Sequence, residues 1–176
     1  MTDTDSHRAV EVSWEADCSG LLNDETVPDA LGEALRIVLE ETGLGDNWPR
    51  CELGVTLTDD EGIRRLNRDH REIDSATDTL SFPVSEPDEI AGIRTEYDPP
   101  LALGDLVLSP ETIERQAKER GMGFIERFGE CLVHGILHLL GWGHEEEDDR
   151  EAMEMMEDRL APKVINILSR IDVEEN

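Results

Sequence analysis

Residues 124–140 form the segment that most constrains this chain, because their side chains are apolar on nearly every side of a predicted helix. A helix of that kind is expected to be buried. Two histidines interrupt the apolar pattern, and their four-residue spacing places His134 and His138 on one face, one turn apart. The apolar positions around them are Leu132, Val133, Ile136, Leu137, Leu139 and Leu140.

A third histidine follows just after this predicted helix. Gly141 can take the left-handed conformation that ends a helix, and Gly143 permits a tight return of the chain. Such a turn brings His144 back towards the first two histidines. Three imidazoles on one ion, each nitrogen ~2.0–2.1 Å away, leave a fourth position open, as in catalytic zinc sites. We therefore predict one Zn²⁺ per chain, held by His134, His138 and His144.

Two simpler interpretations of these side chains compete with the metal site. A single histidine on an apolar helix is more often a core residue that is hydrogen-bonded to backbone, but three histidines at this spacing favour a metal. Cys131 lies one turn before His134 and is a conceivable thiolate ligand. We interpret it as a small buried packing residue, which is the usual role of a free cysteine.

The spacing H-x-x-x-H-x-x-G-x-x-H is also that of the metzincin peptidases, in which a glutamate follows the first histidine as general base. The corresponding position here is Gly135, which cannot accept a proton. The sequence therefore disfavours proteolysis. Hydrolysis in general stays open, because a zinc ion by itself lowers the pKa of water to ~7.

Periodicity along the chain predicts an α+β fold, with a small mixed sheet of about four strands and about five helices. Pro83 indicates that the third strand lies at an edge of the sheet or ends nearby. The proline-rich residues 86–100 are predicted to be a surface loop. We expect residues 1–176 to form one domain. Strands are predicted at Val10–Trp14, 51–59, 77–84 and 103–110, and helices from Pro28 to Gly43 and over 59–71, 110–121, 124–140 and 147–168.

The composition is strongly acidic, with 43 Asp or Glu residues against 16 Lys or Arg and a formal net charge of -27. Charge of this size causes self-repulsion. In about 1 M salt the Debye length falls to ~3 Å, which screens that repulsion. We therefore hypothesise a surface adapted to concentrated salt, and the alternative is an acidic protein of an ordinary cell.

The sequence also bears on where the protein acts. No stretch approaches the ~20 apolar residues of a membrane span, and the polar, acidic first residues lack the features of a secretory signal. The three cysteines, an odd number at wide spacing, argue against a disulfide scaffold. We expect a cytoplasmic protein that does not associate with membranes. These cysteines are Cys18, Cys51 and Cys131.

Three blocks within residues 66–144 together resemble the YbeY family of metal-dependent endoribonucleases. The blocks are LNRDHREIDSATDTLSFP, LGDLVLS and HGILHLLGWGH. The resemblance implies that the three histidines bind zinc and that Arg71 is the functional arginine of the family. Gly143 stands where the family usually has Asp, and Trp142 stands where it usually has Tyr. Because Gly143 replaces that Asp, a polar group beside the third histidine is missing. We expect this change to affect proton transfer rather than metal binding.

The same resemblance implies a function. It predicts a zinc-dependent endoribonuclease that cuts single-stranded RNA, in maturation of the small-subunit (16S) rRNA 3′ end and in ribosome quality control. Ribosomal RNA and the ribosome or its assembly factors would be the partners. Two other classes stay open: a non-catalytic assembly factor stabilised by metal, and a metallopeptidase-like hydrolase, which Gly135 disfavours. The sequence does not fix an oligomeric state.

Four arginines lie within eight residues of one predicted helix. The planar guanidinium group suits phosphate oxygens. For Arg64 and Arg65 the simpler interpretation is a solvated helix face on which each arginine pairs with a nearby carboxylate. Each such pair would add ~0.3–0.5 kcal/mol to the stability of the fold. For Arg71 the family resemblance favours a functional role.

If the acidic composition is an adaptation to salt, KCl should stabilise the fold. We expect the Tm to rise as KCl is raised from about 0.1 M to about 2 M, because screening weakens repulsion between carboxylates. Thermal unfolding followed by circular dichroism measures this effect. Sucrose serves as the control, since it favours the compact state without screening charge. An equal Tm at low and at molar KCl would contradict the hypothesis.

Overall fold

The structure, a computed structural model, describes residues 9–16, 22, 26–44, 50–92, 97–143 and 146–171. Over these residues the chain forms four strands and six helices. The strands are β1 (Ala9–Ala16), β2 (Arg50–Leu57), β3 (Thr79–Pro83) and β4 (Leu101–Leu108). The helices are α1 (Val27–Glu41), α2 (Asp60–Arg71), α3 (Pro87–Ala91), α4 (Pro110–Arg120), α5 (Phe124–Leu139) and α6 (Glu147–Leu168).

The four strands form one mixed sheet in the order β1-β2-β4-β3. Strands β1 and β4 each pair with β2 in parallel, whereas β3 pairs with β4 in the antiparallel direction. Strand β3 therefore lies at an edge of the sheet. This position confirms the expectation from Pro83, because a proline in a strand is tolerated mainly at an edge.

Helices cover the two faces of the sheet unequally. Strand residues such as Leu53 and Leu106 join the main core, to which α1, α5 and α6 contribute their apolar side chains. On the opposite face, Leu80 and Val107 form a small second cluster with Ile63 of α2. Neighbouring strand residues point to opposite faces, so α2 is held against the β3–β4 edge from the side opposite α5.

The fold class predicted from sequence is confirmed, and each of the five predicted helices is present. The prediction of a loop over residues 86–100 is wrong in part, because Pro87–Ala91 forms helix α3. Proline is compatible with a first helical turn, and the Glu86 amide donates to the Glu89 side chain at 3.1 Å. Cys18 and the side chains of Val10 and Trp14 lie outside the described residues.

Within the part of the chain that the structure describes, the helices are too short or too polar for any of them to traverse a lipid bilayer.

Polar links at the start of α2 fix its position. The side chain of Asp59, the N-cap residue, accepts a hydrogen bond from the Gly62 amide at 2.7 Å, as is typical of a helix start. Asp60 Oδ1 accepts from the hydroxyl groups of Ser109 and Thr112, at 2.5 and 2.6 Å. Since both hydroxyl groups lie at the start of α4, the first turns of α2 and α4 are tied together.

The end of α2 has an unusual backbone conformation. Glu72 has φ 62° and ψ 22°, in the left-handed region, and its amide donates to the Arg68 carbonyl at 3.1 Å. An L-residue other than glycine costs about 1–2 kcal/mol in this conformation. The turn ends α2 directly after Arg71, so that residue lies at the exit of the helix.

Replacing Glu72 with glycine is expected to stabilise the protein. Relief of the left-handed backbone outweighs the greater entropy of glycine in the unfolded chain, for a net gain of about 0.5–1 kcal/mol in the free energy of unfolding. Glu72→Ala is the matched control, because it removes the same exposed side chain and keeps the strain. Urea unfolding compares the two variants, and equal stabilities would contradict this account of the turn.

Candidate active site

The two histidines of α5 lie side by side, as their spacing predicts. Their Nε2 atoms are 3.1 Å apart, and the rings meet nearly at right angles with centroids 4.5 Å apart. Helix α5 ends one residue after His138, and Gly141 follows with a φ of 85°. The left-handed glycine expected after the helix is therefore confirmed.

Each histidine has an acceptor on its other ring nitrogen. His134 Nδ1 lies 2.6 Å from Glu157 Oε1, and His138 Nδ1 lies 3.0 Å from the carbonyl oxygen of Trp142. Neither partner can donate a proton in its ordinary state, so each Nδ1 carries the hydrogen. A neutral ring then has its lone pair on Nε2. The two lone pairs thus converge on one region between the rings.

This donor set suits a divalent cation. Two nitrogens that bind one tetrahedral ion at ~2.0–2.1 Å are ~3.3–3.4 Å apart, close to the 3.1 Å between these Nε2 atoms. Metal-binding histidines commonly donate their second N–H to a carboxylate or a carbonyl, and both arrangements occur here. His144 lies outside the described residues, among which no group of three ligating side chains occurs. The complete ligand set therefore stays a prediction.

The residue after His134 has no room for a side chain. A Cβ atom on Gly135 would lie 2.8 Å from Leu106 Cδ2 and 3.2 Å from Thr79 Cγ2, which are strand side chains. Helix α5 thus approaches the sheet closely at this position. A glutamate there would face the sheet rather than the histidine pair, which adds a structural reason to the argument against a peptidase.

Arg71 is linked to the same region through the edge strand. Its Nη2 atom donates to the carbonyl oxygen of Ser81 at 3.2 Å. The Ser81 hydroxyl in turn donates to the Gly135 carbonyl at 3.2 Å. Strand β3 therefore connects the end of α2 with the turn of α5 that carries His134.

The arginine and the histidine pair line one cleft of about 600 Å³. One wall is apolar and includes Ile73, whose exposed fraction is 54%. None of the described lining residues is Asp or Glu, although such residues are abundant in the chain. The lining residues are Arg71, Ile73, Thr79, Leu80, Ser81, Pro83, His134, His138, Gly141, Trp142 and Gly143.

A second cavity, of about 480 Å³, lies on the other side of His134 and has charged walls. Arg127, with a side chain 12% exposed, donates to Asp78, Glu130 and Gln116 at 2.6–2.8 Å. Burial acts to raise the pKa of Asp78, but the charge of Arg127 and the Thr79 amide hold that pKa below its ordinary value. This network fixes α5 to the start of β3.

Cys131 is buried in the same region. Burial raises the pKa of its thiol to about 12, so the group is neutral at ordinary pH. A neutral buried thiol is a poor metal ligand, because the thiolate is the binding form. The structure thus supports the packing role predicted for Cys131.

Two other arginines of α2, Arg64 and Arg68, have local partners. Arg64 pairs with Asp74 at 2.8 Å and with Glu61 at 3.2 Å, and Arg68 pairs with Asp69 at 2.8 Å. All these side chains are largely exposed, so the pairs contribute little to stability. For Arg64 the predicted solvated, paired face is confirmed.

Two residues of this region, Glu157 and Ser81, are not predicted by the sequence patterns. Glu157 had a recognisable signal, since it lies four residues after Met153, three before Leu160 and seven before Val164, which are all buried on the inner face of α6. A carboxylate at such a position is unusual unless it is paired. Ser81 had no comparable signal, because hydroxyl groups are common in edge strands.

Comparison with known proteins assigns this chain to a family. The family described as Endoribonuclease YbeY matches residues 16–164, and the chain belongs to it. Endoribonuclease YbeY of Rhodopseudomonas palustris strain HaA2 is 38% identical over 160 residues, which cover 88% of this chain and 79% of that protein. The corresponding protein of strain BisA53 is 41% identical over 153 residues, which cover 86% and 84%.

The fold is also similar to that of a solved structure. The solution structure of TM1509 from Thermotoga maritima superimposes with a TM-score of 0.58 at 25% identity. The match covers 88% of this chain and 89% of that chain.

Proposed function

We propose that this protein is a zinc-dependent endoribonuclease that cuts single-stranded RNA in the cleft between β3 and α5. One Zn²⁺ per chain would be held by His134, His138 and His144, and Arg71 would bind the reacting phosphate. The main support for this proposal is that the Nε2 atoms of His134 and His138 lie 3.1 Å apart, in the same cleft as Arg71. The names of the relatives, which are endoribonucleases, support the substrate class.

The charge of the cleft supports a polyanionic substrate. The described lining residues carry the guanidinium group of Arg71 and no carboxylate. In a chain of formal net charge -27, such a cleft is a local exception to the repulsion that RNA would meet elsewhere. Dissolved salt screens the more distant carboxylates, so the contacts inside the cleft decide binding.

The chain's own residues would hold the substrate in the following way. Ser81 fixes one N–H of Arg71 through its carbonyl, which leaves the planar guanidinium oriented along the cleft wall. A guanidinium group in that orientation binds two phosphate oxygens and favours the extra negative charge of the transition state. When bound, a divalent cation supplies Lewis acidity towards a phosphoryl oxygen and lowers the pKa of water.

Membership in the family supports a finer biological role. We propose maturation of the small-subunit (16S) rRNA 3′ end and ribosome quality control in the cytoplasm, with ribosomal RNA and the ribosome or its assembly factors as partners. The match of one family over residues 16–164 supports a single domain over residues 1–176. A non-catalytic assembly factor with a structural metal is the second candidate, since the same histidines would serve it.

Loss of the metal is expected to abolish cleavage. The purified chain should contain one zinc per chain, and prolonged dialysis against a chelator should stop cleavage of a precursor rRNA fragment until Zn²⁺ is restored. His134→Ala should bind less zinc and stay inactive after zinc is restored, because one ligand is missing. His70→Ala, a histidine outside the cleft, is the control. A folded His134→Ala that still supports rRNA maturation would favour the assembly-factor role.

Arg71 is expected to act on the reaction and not on the fold. Arg71→Ala should lower kcat/KM for a single-stranded RNA by about 10²–10³, because a donor aimed at the transition-state charge is lost. Arg71→Lys should recover only part of this, since an ammonium group cannot bind two oxygens in one plane. Arg65→Ala, an exposed arginine on the same helix, is the matched control. Equal rates for Arg71→Ala and Arg65→Ala would refute the assignment.

A further inference from the structure

The two histidines differ in what holds their rings. The Nδ1 partner of His138 is the main-chain carbonyl oxygen of Trp142, 3.0 Å away. The Nδ1 partner of His134 is a side chain, the carboxylate of Glu157, 2.6 Å away. A backbone carbonyl is present whatever residue occupies the position. Of these two Nδ1 contacts, the one made by His134 therefore depends on the identity of a side chain.

The position of Glu157 in α6 makes this contact unusual. Met153, Leu160 and Val164 lie on the same side of α6 and are buried. Helices α5 and α6 pack along this side, so an apolar residue would be expected between them. A carboxylate there costs free energy of desolvation unless a donor compensates it. Glu157, whose side chain is 30% exposed, has that donor in His134.

We propose that Glu157 is a positioning residue of the metal site, which keeps the proton of His134 on Nδ1 and turns Nε2 towards the ion. This inference rests on the metal site of the proposed function. An imidazole can carry its proton on either nitrogen and can rotate about its side-chain bonds. A carboxylate on Nδ1 stabilises one tautomer and one rotation together, and it makes the opposite nitrogen a stronger electron donor.

A purely structural role for the same contact predicts a different result. If Glu157 only ties α6 to α5, its removal lowers the free energy of unfolding and leaves the zinc affinity of the folded protein unchanged. If Glu157 positions the ring, the affinity falls even in a variant of unchanged stability. Zinc affinity and stability therefore separate the two roles.

The experiment compares zinc affinity in the full-length chain by competition with a chromophoric chelator. Glu157→Ala should bind zinc about 10–100-fold more weakly than the wild type. Glu157→Gln, of nearly the same shape, should lose less, because its amide oxygen still accepts from Nδ1 but carries no charge. Asp158→Asn is the matched control, since it removes one negative charge from the next residue of α6, on the same cavity. Its affinity should equal that of the wild type.

A spectroscopic measurement tests the contact directly. In the zinc-loaded wild type, the His134 Nδ1 proton should give a far-downfield proton resonance that exchanges slowly with water. The resonance should move upfield in Glu157→Gln, disappear by exchange in Glu157→Ala and remain in Asp158→Asn. Glu157→Gln guards against the possibility that the alanine variant fails to fold.

The outcomes separate this inference from the proposed function. A wild type that binds zinc with the same affinity as a folded Glu157→Ala overturns the positioning role and leaves the metal site intact. A wild type that binds no zinc overturns the metal site itself, and the positioning role with it. Whether the protein cleaves RNA affects neither measurement.

Discussion

The burial of α5 is the constraint on which the rest of the structure depends. This helix contacts β3, β4, α4 and α6, and its apolar side chains are buried along most of its length. At Gly135 it approaches the strands so closely that no side chain fits. Consequently only a narrow edge of the helix reaches solvent, and the imidazoles of His134 and His138 lie on that edge. The hydrophobic core thereby fixes two polar groups with little freedom to move.

Patterns local in sequence allowed much of this arrangement to be predicted. The apolar periodicity of residues 124–140 and 147–168 defines two helices, and a four-residue step is sufficient to bring two imidazoles together. The partners of these groups could not be predicted in the same way. Glu157 is 23 residues from His134 and Ser81 is 54 residues from Gly135. Such contacts depend on how helices and strands dock, which periodicity does not specify.

Charge is distributed unevenly between the two cavities that His134 lines. The cleft beside Arg71 has no carboxylate among its described lining residues, whereas the cavity on the other side of His134 contains Asp78, Glu130, Glu157 and Asp158. Several of these carboxylates are bound by Arg127 or by His134. His134 and Thr79 line both cavities, so the two lie next to each other. The lack of carboxylates among the described lining residues favours an anion on the Arg71 side.

The position of the carboxylate also distinguishes this site from that of peptidases with the same histidine spacing. In those enzymes the glutamate next to the first histidine acts as the base for water. Here that residue is Gly135, and the carboxylate of Glu157 lies at His134 Nδ1, on the side of the ring away from Nε2. A carboxylate there orients the ring but cannot reach a nucleophile near Nε2. A phosphodiester, already anionic, complements the guanidinium group and the cation of the proposed site better than a neutral peptide bond would.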